Sequence, residues 1–85
     1  MIRVRCLGHI GTSLGADEVG LEEDNIEVSE VVERLRSLAK GKEVGFDRFN
    51  TLAMVGEGEA FVPSTSTRRI RDGETVVLIP FSHGG

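Results

Sequence analysis

The sequence predicts a small α+β domain, a mixed sheet of about five strands packed against one main helix. Residues 2–6 alternate between apolar and charged side chains, which is the two-residue period of a half-buried strand. Between Val28 and Ala39 the apolar residues recur every three or four positions, as on one face of a helix. Residues 75–79 form an apolar run typical of a strand covered on both faces. These elements are enough for a single domain over residues 1–85.

The N-terminal segment predicts two strands joined by a flexible turn. We expect the first strand to run from Met1 to about Gly8, and a second strand to contain Val19 and Leu21, which alternate with acidic residues. The segment between them is rich in glycine and hydroxyl side chains, which is typical of a turn: Gly8, Gly11, Thr12, Ser13 and Gly15. The two strands are therefore predicted to form a hairpin.

Charge along the predicted helix follows the helix dipole. Residues 17–33 contain eight of the fourteen acidic residues, and residues 34–42 contain four basic residues. Acids near the start of a helix and bases near its end are stabilising. Two sets of residues are able to cap the start, either Asp24 with Glu27 or Ser29 alone, and Gly41 stands where a left-handed terminating residue is needed.

The second half of the chain predicts three more strands, at residues 51–55, 60–62 and 75–79. Pro63 has no amide hydrogen, so the second of these lies at a sheet edge or ends there. The last strand follows a turn at Asp72-Gly73. We expect it to lie at the centre of the sheet, because its apolar run suits two covered faces.

Composition excludes several classes of protein. The chain has a net charge of −4 and 39% hydrophobic residues, and its apolar runs are shorter than the roughly 18 residues of a membrane span. It also lacks the apolar centre of a signal peptide, so we expect a cytoplasmic protein that binds no membrane. The single cysteine, Cys6, excludes a disulfide framework and a four-thiolate metal site. The alternation of the first strand makes Cys6 a small buried hydrophobe.

Catalytic and metal-binding motifs are not convincing. Ser37 and Lys40 match the Ser-x-x-Lys spacing of serine acyl enzymes, but the other motifs of those enzymes are missing. His9 and His83 lie at opposite ends of the chain, so a metal site is not expected. We therefore expect a protein that is not an enzyme and binds no cofactor.

A basic cluster of Arg68, Arg69 and Arg71 raises the question of nucleic-acid binding. Ile70 interrupts the cluster and the chain as a whole is acidic, whereas nucleic-acid-binding domains usually have a broad basic face. Direct nucleic-acid binding is therefore not expected. We interpret the arginines as solvated charge at a strand edge.

The main functional signal lies at the end of the sequence. Pro80 stops the last strand, and residues 81–85 end in Gly84 and Gly85. Because glycine has no Cβ, such a tail is thin enough to enter a narrow channel in another protein. We expect a flexible tail in which the α-carboxylate of Gly85 reacts after adenylation. Attack by sulfur would then give a thiocarboxylate, and attack by an amine through a thioester would give an isopeptide bond.

Four features in this order carry a family resemblance: the opening at residues 2–6, the helix face at residues 31–38, the sequence at residues 72–76 and the segment from Pro80 to Gly85. Over its whole length the chain resembles the ubiquitin-like β-grasp sulfur carriers, which include MoaD, ThiS, the ubiquitin-related modifier and the archaeal small modifiers. MoaD is the closest match. This resemblance implies a small subunit of molybdopterin synthase that delivers sulfur from a thiocarboxylate at Gly85 to a pterin precursor.

Three residues in the tail and in a turn favour an alternative to the MoaD role. MoaD proteins commonly have a second proline where this chain has Phe81 and an asparagine where it has Gly56, while His83 looks more like the ubiquitin-related modifier. That modifier would act in tRNA thiolation and protein conjugation. A second alternative is a β-grasp interaction module whose Gly-Gly pair has no chemical role.

The resemblance also implies partners. An ATP-dependent, ubiquitin-activating-like (MoeB-type) enzyme would adenylate Gly85 and accept Gly84 and His83 in its channel. The activated carrier would then act on one of three further partners: the molybdopterin synthase large subunit, another sulfur acceptor or conjugated target proteins. We predict docking through the sheet face near the tail, because aromatic side chains beside charge often anchor interfaces. The candidates are Phe61, Phe81, Arg68, Arg69 and Arg71; if Phe61 is buried, it belongs to the core.

Overall fold

A computed structural model of the protein describes residues 1–39 and 45–81. These residues form seven strands and two helices in the following order: β1 (Ile2–Cys6), α1 (Gly8–Leu14), β2 (Glu18–Leu21), β3 (Asn25–Glu27), α2 (Val28–Leu38), β4 (Thr51–Val55), β5 (Glu59–Phe61), β6 (Arg69–Arg71) and β7 (Thr75–Pro80).

Five of the strands form one mixed sheet in the order β2-β1-β7-β4-β5. The pairing of β1 with β7 is parallel, and the other pairings are antiparallel. The last strand therefore lies at the centre of the sheet, and the predicted α+β class with five strands on one main helix is confirmed. A separate two-stranded sheet joins β3 to β6, where Ile26 pairs with Ile70.

The main helix forms where its apolar period predicts it. Val28, Val31, Val32 and Leu35 are buried along one side of α2. Glu27 is the N-cap in a capping box, in which its backbone N–H donates to Glu30 Oε1 at 3.1 Å, so neither Asp24 nor Ser29 is the capping residue. The predicted terminating residue, Gly41, lies outside the described residues.

The predicted flexible turn after β1 is wrong, because that segment is the helix α1. Burial of Ile10 against the core stabilises this helix despite its poor helix formers. Gly15 ends it in the left-handed conformation at φ 71°. Gly11 allows close packing, since a Cβ there would lie 2.8 Å from the carbonyl oxygen of Cys6. The strands β1 and β2 are antiparallel neighbours, but a helix rather than a tight hairpin connects them.

The core lies between α2 and one face of the sheet, which we call the inner face. In β7, Val76 and Leu78 are buried in it, while Val77 and Ile79 point to the opposite, outer face and are only half-buried. The prediction that β7 is covered on both faces is therefore wrong. On the outer face, Val77 lies in register between Arg5 on β1 and Met54 on β4.

Two short elements differ from the sequence-based expectation. The strand β5 begins and ends one residue before the predicted 60–62, and β6 had not been predicted as a strand. The β6 strand has a single buried residue, Ile70, so its sequence carries almost no periodic signal. Within residues 1–39 and 45–81, neither helix has the length and apolar character needed to cross a membrane.

Candidate functional site at the end of the central strand

The candidate site is the place where the chain leaves β7, because the predicted reactive tail begins there. Hydrogen bonds hold both sides of this exit. The backbone N–H of Leu7 donates to the carbonyl oxygen of Leu78 at 3.1 Å, and the backbone N–H of Phe81 donates to that of Asn50 at 3.0 Å. The chain is thus held in place up to Phe81. His83, Gly84 and Gly85, which sequence analysis selected for the tail, lie outside the described residues.

A reciprocally bonded turn at residues 47–50 forms one side of the exit. Asp47 Oδ1 accepts hydrogen bonds from the backbone N–H groups of Phe49 at 2.8 Å and Asn50 at 3.1 Å. Asn50 Oδ1 accepts one in return from the backbone N–H of Asp47 at 2.8 Å. Asp and Asn favour such turns because their short side chains reach nearby backbone amides.

Two contacts with other parts of the chain anchor this turn to the body of the protein, and a third braces it within its own loop. Phe46 is buried in the core, and Arg36 Nε on α2 donates to its carbonyl oxygen at 3.0 Å. The backbone N–H of Ser64 donates to the carbonyl oxygen of Arg48 at 3.0 Å. Asn50 Nδ2 donates to the carbonyl oxygen of Gly45 at 3.2 Å. The turn is therefore held rigidly beside the end of β7.

Two large apolar side chains are exposed around the exit. Leu7, next to Leu78, is 42% exposed, and Phe49, in the turn, is 53% exposed. The guanidinium carbon of Arg48 lies 5.4 Å from the centroid of the Phe49 ring, within cation–π range. We call Leu7, Arg48 and Phe49 the exit rim. These three residues are not among the predicted site residues, although an aromatic residue in a polar loop is a signal visible in the sequence.

An apolar patch covers the outer face of the sheet beside the exit. It consists of Leu52 and Met54 on β4, which pair in register with Ile79 and Val77 on β7, and all four are half-buried. Sequence analysis placed docking on the sheet face near the tail but did not name these residues. The available signal was that both β4 and β7 carry apolar residues at outward as well as inward positions.

The architecture is similar to a known one. The chain matches the crystal structure of SAMP1 from Haloferax volcanii with a TM-score of 0.58 and 18% sequence identity, over 99% of this chain and 98% of that one. The fold is a ubiquitin-like β-grasp. No family model and no curated protein matches the sequence.

In this β-grasp fold, Phe61 packs against the core from the inner face of the sheet. Its partner in register is Ala53 on the inner face, which in turn pairs with Leu78. The half-buried ring of Phe61 packs against the buried cluster. The sequence prediction allowed this outcome, and the inward register is its physical reason.

The predicted arginine candidates do not lie beside the tail. The strand β6, which contains Arg69 and Arg71, leads through the Asp72-Gly73 turn to the beginning of β7, whereas the tail leaves from its end. Arg69 Nε donates to Asn25 Oδ1 at 2.7 Å on the paired strand β3. Of the five predicted docking residues, only Phe81 lies at the exit, where it is half-buried.

Arg68 connects the strand β5 to the turn before β7. One of its guanidinium nitrogens lies 3.3 Å from a carboxylate oxygen of Glu74 and 4.0 Å from one of Glu59. Its guanidinium carbon lies 5.8 Å from the centroid of the Phe61 ring. Arg68 is thus a structural residue that ties β5 to the turn before β7.

Replacing Arg68 is expected to destabilise the fold. We expect Arg68→Ala to lower the free energy of unfolding by about 1 kcal/mol, because it removes one cation–π contact and a charge network. Arg71→Ala is the matched control, since the Arg71 side chain is exposed and its hydrogen bonds with Glu74 use its backbone N–H and carbonyl groups, which the substitution keeps. Urea denaturation followed by circular dichroism measures both. Equal stability of the two variants would contradict this role of Arg68.

Cys6 is buried, as predicted, and is poorly suited to nucleophilic chemistry. Burial, with a smaller contribution from the charge of Asp17, raises the pKa of the Cys6 thiol to about 11. The thiol is therefore protonated at neutral pH, and it is the thiolate that attacks electrophiles. Among the described residues, no group of three or more His, Cys, Asp or Glu side chains is arranged to hold a metal ion.

Proposed function

We propose that this protein is a ubiquitin-like carrier whose Gly85 is adenylated by an ATP-dependent MoeB-type enzyme and then converted to a thiocarboxylate. The observation that carries the proposal is the course of the chain. The central strand of the β-grasp holds it up to Phe81, and the four residues that follow end in Gly84 and Gly85. The carrier is the substrate in this reaction, and the partner enzyme supplies the catalysis and uses the ATP.

The proposed reaction has two steps at the carbonyl carbon of Gly85. First, the α-carboxylate attacks the α-phosphorus of ATP, forming a mixed anhydride with AMP and releasing pyrophosphate. A sulfur nucleophile supplied by a sulfur donor then attacks the acyl carbon, and AMP leaves. With hydrosulfide as the donor, the new C–S bond forms as the C–O bond to AMP breaks, the departing oxygen stays on the AMP phosphate and the S–H proton passes to solvent, so sulfur replaces one carboxylate oxygen with no change of oxidation state. This chain needs no catalytic side chain of its own for either step.

The position of β7 suits this role because the tail can be handled without disturbing the body. β7 is paired on both sides, with β1 and with β4, so it is not an exposed edge that another strand could extend. Its buried residues, Val76 and Leu78, anchor it in the core. A partner can therefore draw the tail into a channel while the sheet remains folded.

For the acceptor, we propose a MoaD-type role in which the protein pairs with the molybdopterin synthase large subunit and passes sulfur to a pterin precursor. The support is the sequence resemblance described above. The ubiquitin-related or archaeal modifier role uses the same activated Gly85 but sends it to tRNA thiolation or to the amine of a target protein. A pull-down with a molybdopterin synthase large subunit separates these roles, because only the first requires a stable pair.

Intact-mass spectrometry tests the proposed activation. The protein is incubated with its cognate activating enzyme, ATP and a sulfur donor, and its mass is compared with that of the untreated chain ending at Gly85. We expect a gain equal to the mass of sulfur minus that of oxygen, located at Gly85 by peptide fragmentation. An unchanged mass under conditions that convert a known carrier would contradict the proposal and favour the interaction module.

A further inference from the structure

The length of the tail limits where an activating enzyme can sit, an inference that rests on the proposed function. Four residues follow Phe81, and at about 3.3–3.6 Å per residue they span at most about 14 Å. If His83, Gly84 and Gly85 occupy the channel, one residue, or about 3.5 Å of chain, is left between Phe81 and the channel mouth. The enzyme surface must therefore come close to the body of the carrier around Phe81.

The exit rim is the exposed surface that meets this requirement. Leu7 lies beside Leu78 on one side of the exit, and Phe49 directly precedes Asn50, which is bonded to Phe81, on the other. Both are exposed apolar side chains, and the bonded turn at residues 47–50 holds Phe49 in place. A rigidly presented aromatic loses little conformational entropy on binding, which is typical of an interface anchor.

Charge at the rim indicates the chemistry of the partner surface. Arg48 lies beside the Phe49 ring, whereas the carboxylate of the adjacent Asp47 is engaged by two backbone N–H groups of the turn. The rim thus presents apolar surface with a positive charge at its edge. We propose that Leu7, Arg48 and Phe49 dock the carrier onto an apolar, acidic surface around the channel mouth of the adenylating enzyme.

The far end of the apolar patch on the outer face is less well placed for the same contact. Leu52 and Ile79 form the pair nearer the exit, whereas Met54 and Val77 form the farther pair, and Val77 is four residues before Phe81, which is about 13 Å back along the strand. That distance is close to the full reach of the tail. Met54 is therefore the natural comparison residue in a test of the rim.

Steady-state kinetics of pyrophosphate release at varied carrier concentration test the rim. We expect Phe49→Ala and Arg48→Glu each to raise the KM for the carrier about tenfold with kcat unchanged, because they remove docking contacts that do not touch the reacting atoms. Leu7→Ala should raise KM about fivefold. The controls Met54→Ala, on the outer face, and Arg71→Glu, near the start of β7, should stay within about twofold of the parent protein. Circular dichroism verifies that each variant is folded.

The outcomes distinguish this inference from the function on which it rests. If the parent protein is not adenylated, the proposed function fails. If the parent protein is adenylated and both Phe49→Ala and Arg48→Glu keep the parent KM, the docking role of the exit rim is refuted while the proposed function stands. The docking role is also refuted if Met54→Ala raises KM more than Phe49→Ala does, or if the rim variants lower kcat alone. Arg48→Glu decides the matter alone if Phe49→Ala does not fold.

Discussion

Deletion of Gly84 and Gly85 is expected to abolish thiocarboxylate formation and leave the stability of the domain unchanged. The truncated chain would end at His83, whose carboxylate is too far back to reach the reactive position in the channel. A misplacement of the reacting group by about 1 Å is enough to cost about a hundredfold in rate. The described core contacts all involve residues before the tail, so the free energy of unfolding should not change.

A point substitution separates the reactive carboxylate from the steric requirement. Gly84→Val keeps the carboxylate of Gly85 but adds a branched side chain, and we expect it to lower kcat/KM for adenylation about a hundredfold or more. Ser82→Ala is the matched control, because it changes the tail outside the Gly-Gly pair and should keep the parent rate. Pyrophosphate release and urea denaturation measure activity and stability. Normal adenylation of Gly84→Val would refute the narrow-channel hypothesis.

Leu78→Ala is expected to produce a large loss of stability. Leu78 is fully buried in the central strand, between Cys6 and Ala53 in register. Shortening its isobutyl group to a methyl group leaves a cavity in a small core, which typically costs about 3 kcal/mol. Since small domains are stable by only about 5–15 kcal/mol, this is a large fraction of the total.

Ile79→Ala is the control for that measurement, because Ile79 is the next residue on the same strand and has the same number of carbon atoms as leucine. It points to the outer face and is half-buried, so we expect a loss of about 1 kcal/mol. Urea denaturation monitored by circular dichroism gives both free energies. Equal losses for the two variants would mean that the outer face is as well covered as the inner one.

Elements with a strong local period could be predicted from the sequence, and elements held by distant contacts could not. The predicted helix and the strand at residues 51–55 match α2 and β4, since alternation or a three-to-four spacing of apolar residues is visible within a short window. α1 was missed because four of its seven residues are glycine, serine or threonine and a glycine caps it, whereas burial of Ile10 against distant residues stabilises it. β6 was missed because only the middle one of its three residues is buried and its pairing partner, β3, is far away in sequence.

The same distinction between local and distant contacts applies to the candidate site. The Gly84-Gly85 pair and the exit of the chain after Pro80 were evident from residue types alone. The roles of the four phenylalanines were not, because their burial depends on the strands and loops around them. Phe46 is buried, Phe61 packs against the core, Phe81 is bonded at the exit, and Phe49 is exposed.

By itself the sequence determined the α+β class, the central last strand and the tail that follows it, because these depend on local apolar periods and on the backbone properties of proline and glycine. Only the tertiary structure decided which side chains surround the tail. Strand register turns Phe61 inward, and β6 carries Arg69 and Arg71 to the far end of β7. The turn at residues 47–50 brings Phe49 beside the exit. Exposure is a property of the whole packed chain, so it cannot be read from a short stretch of sequence.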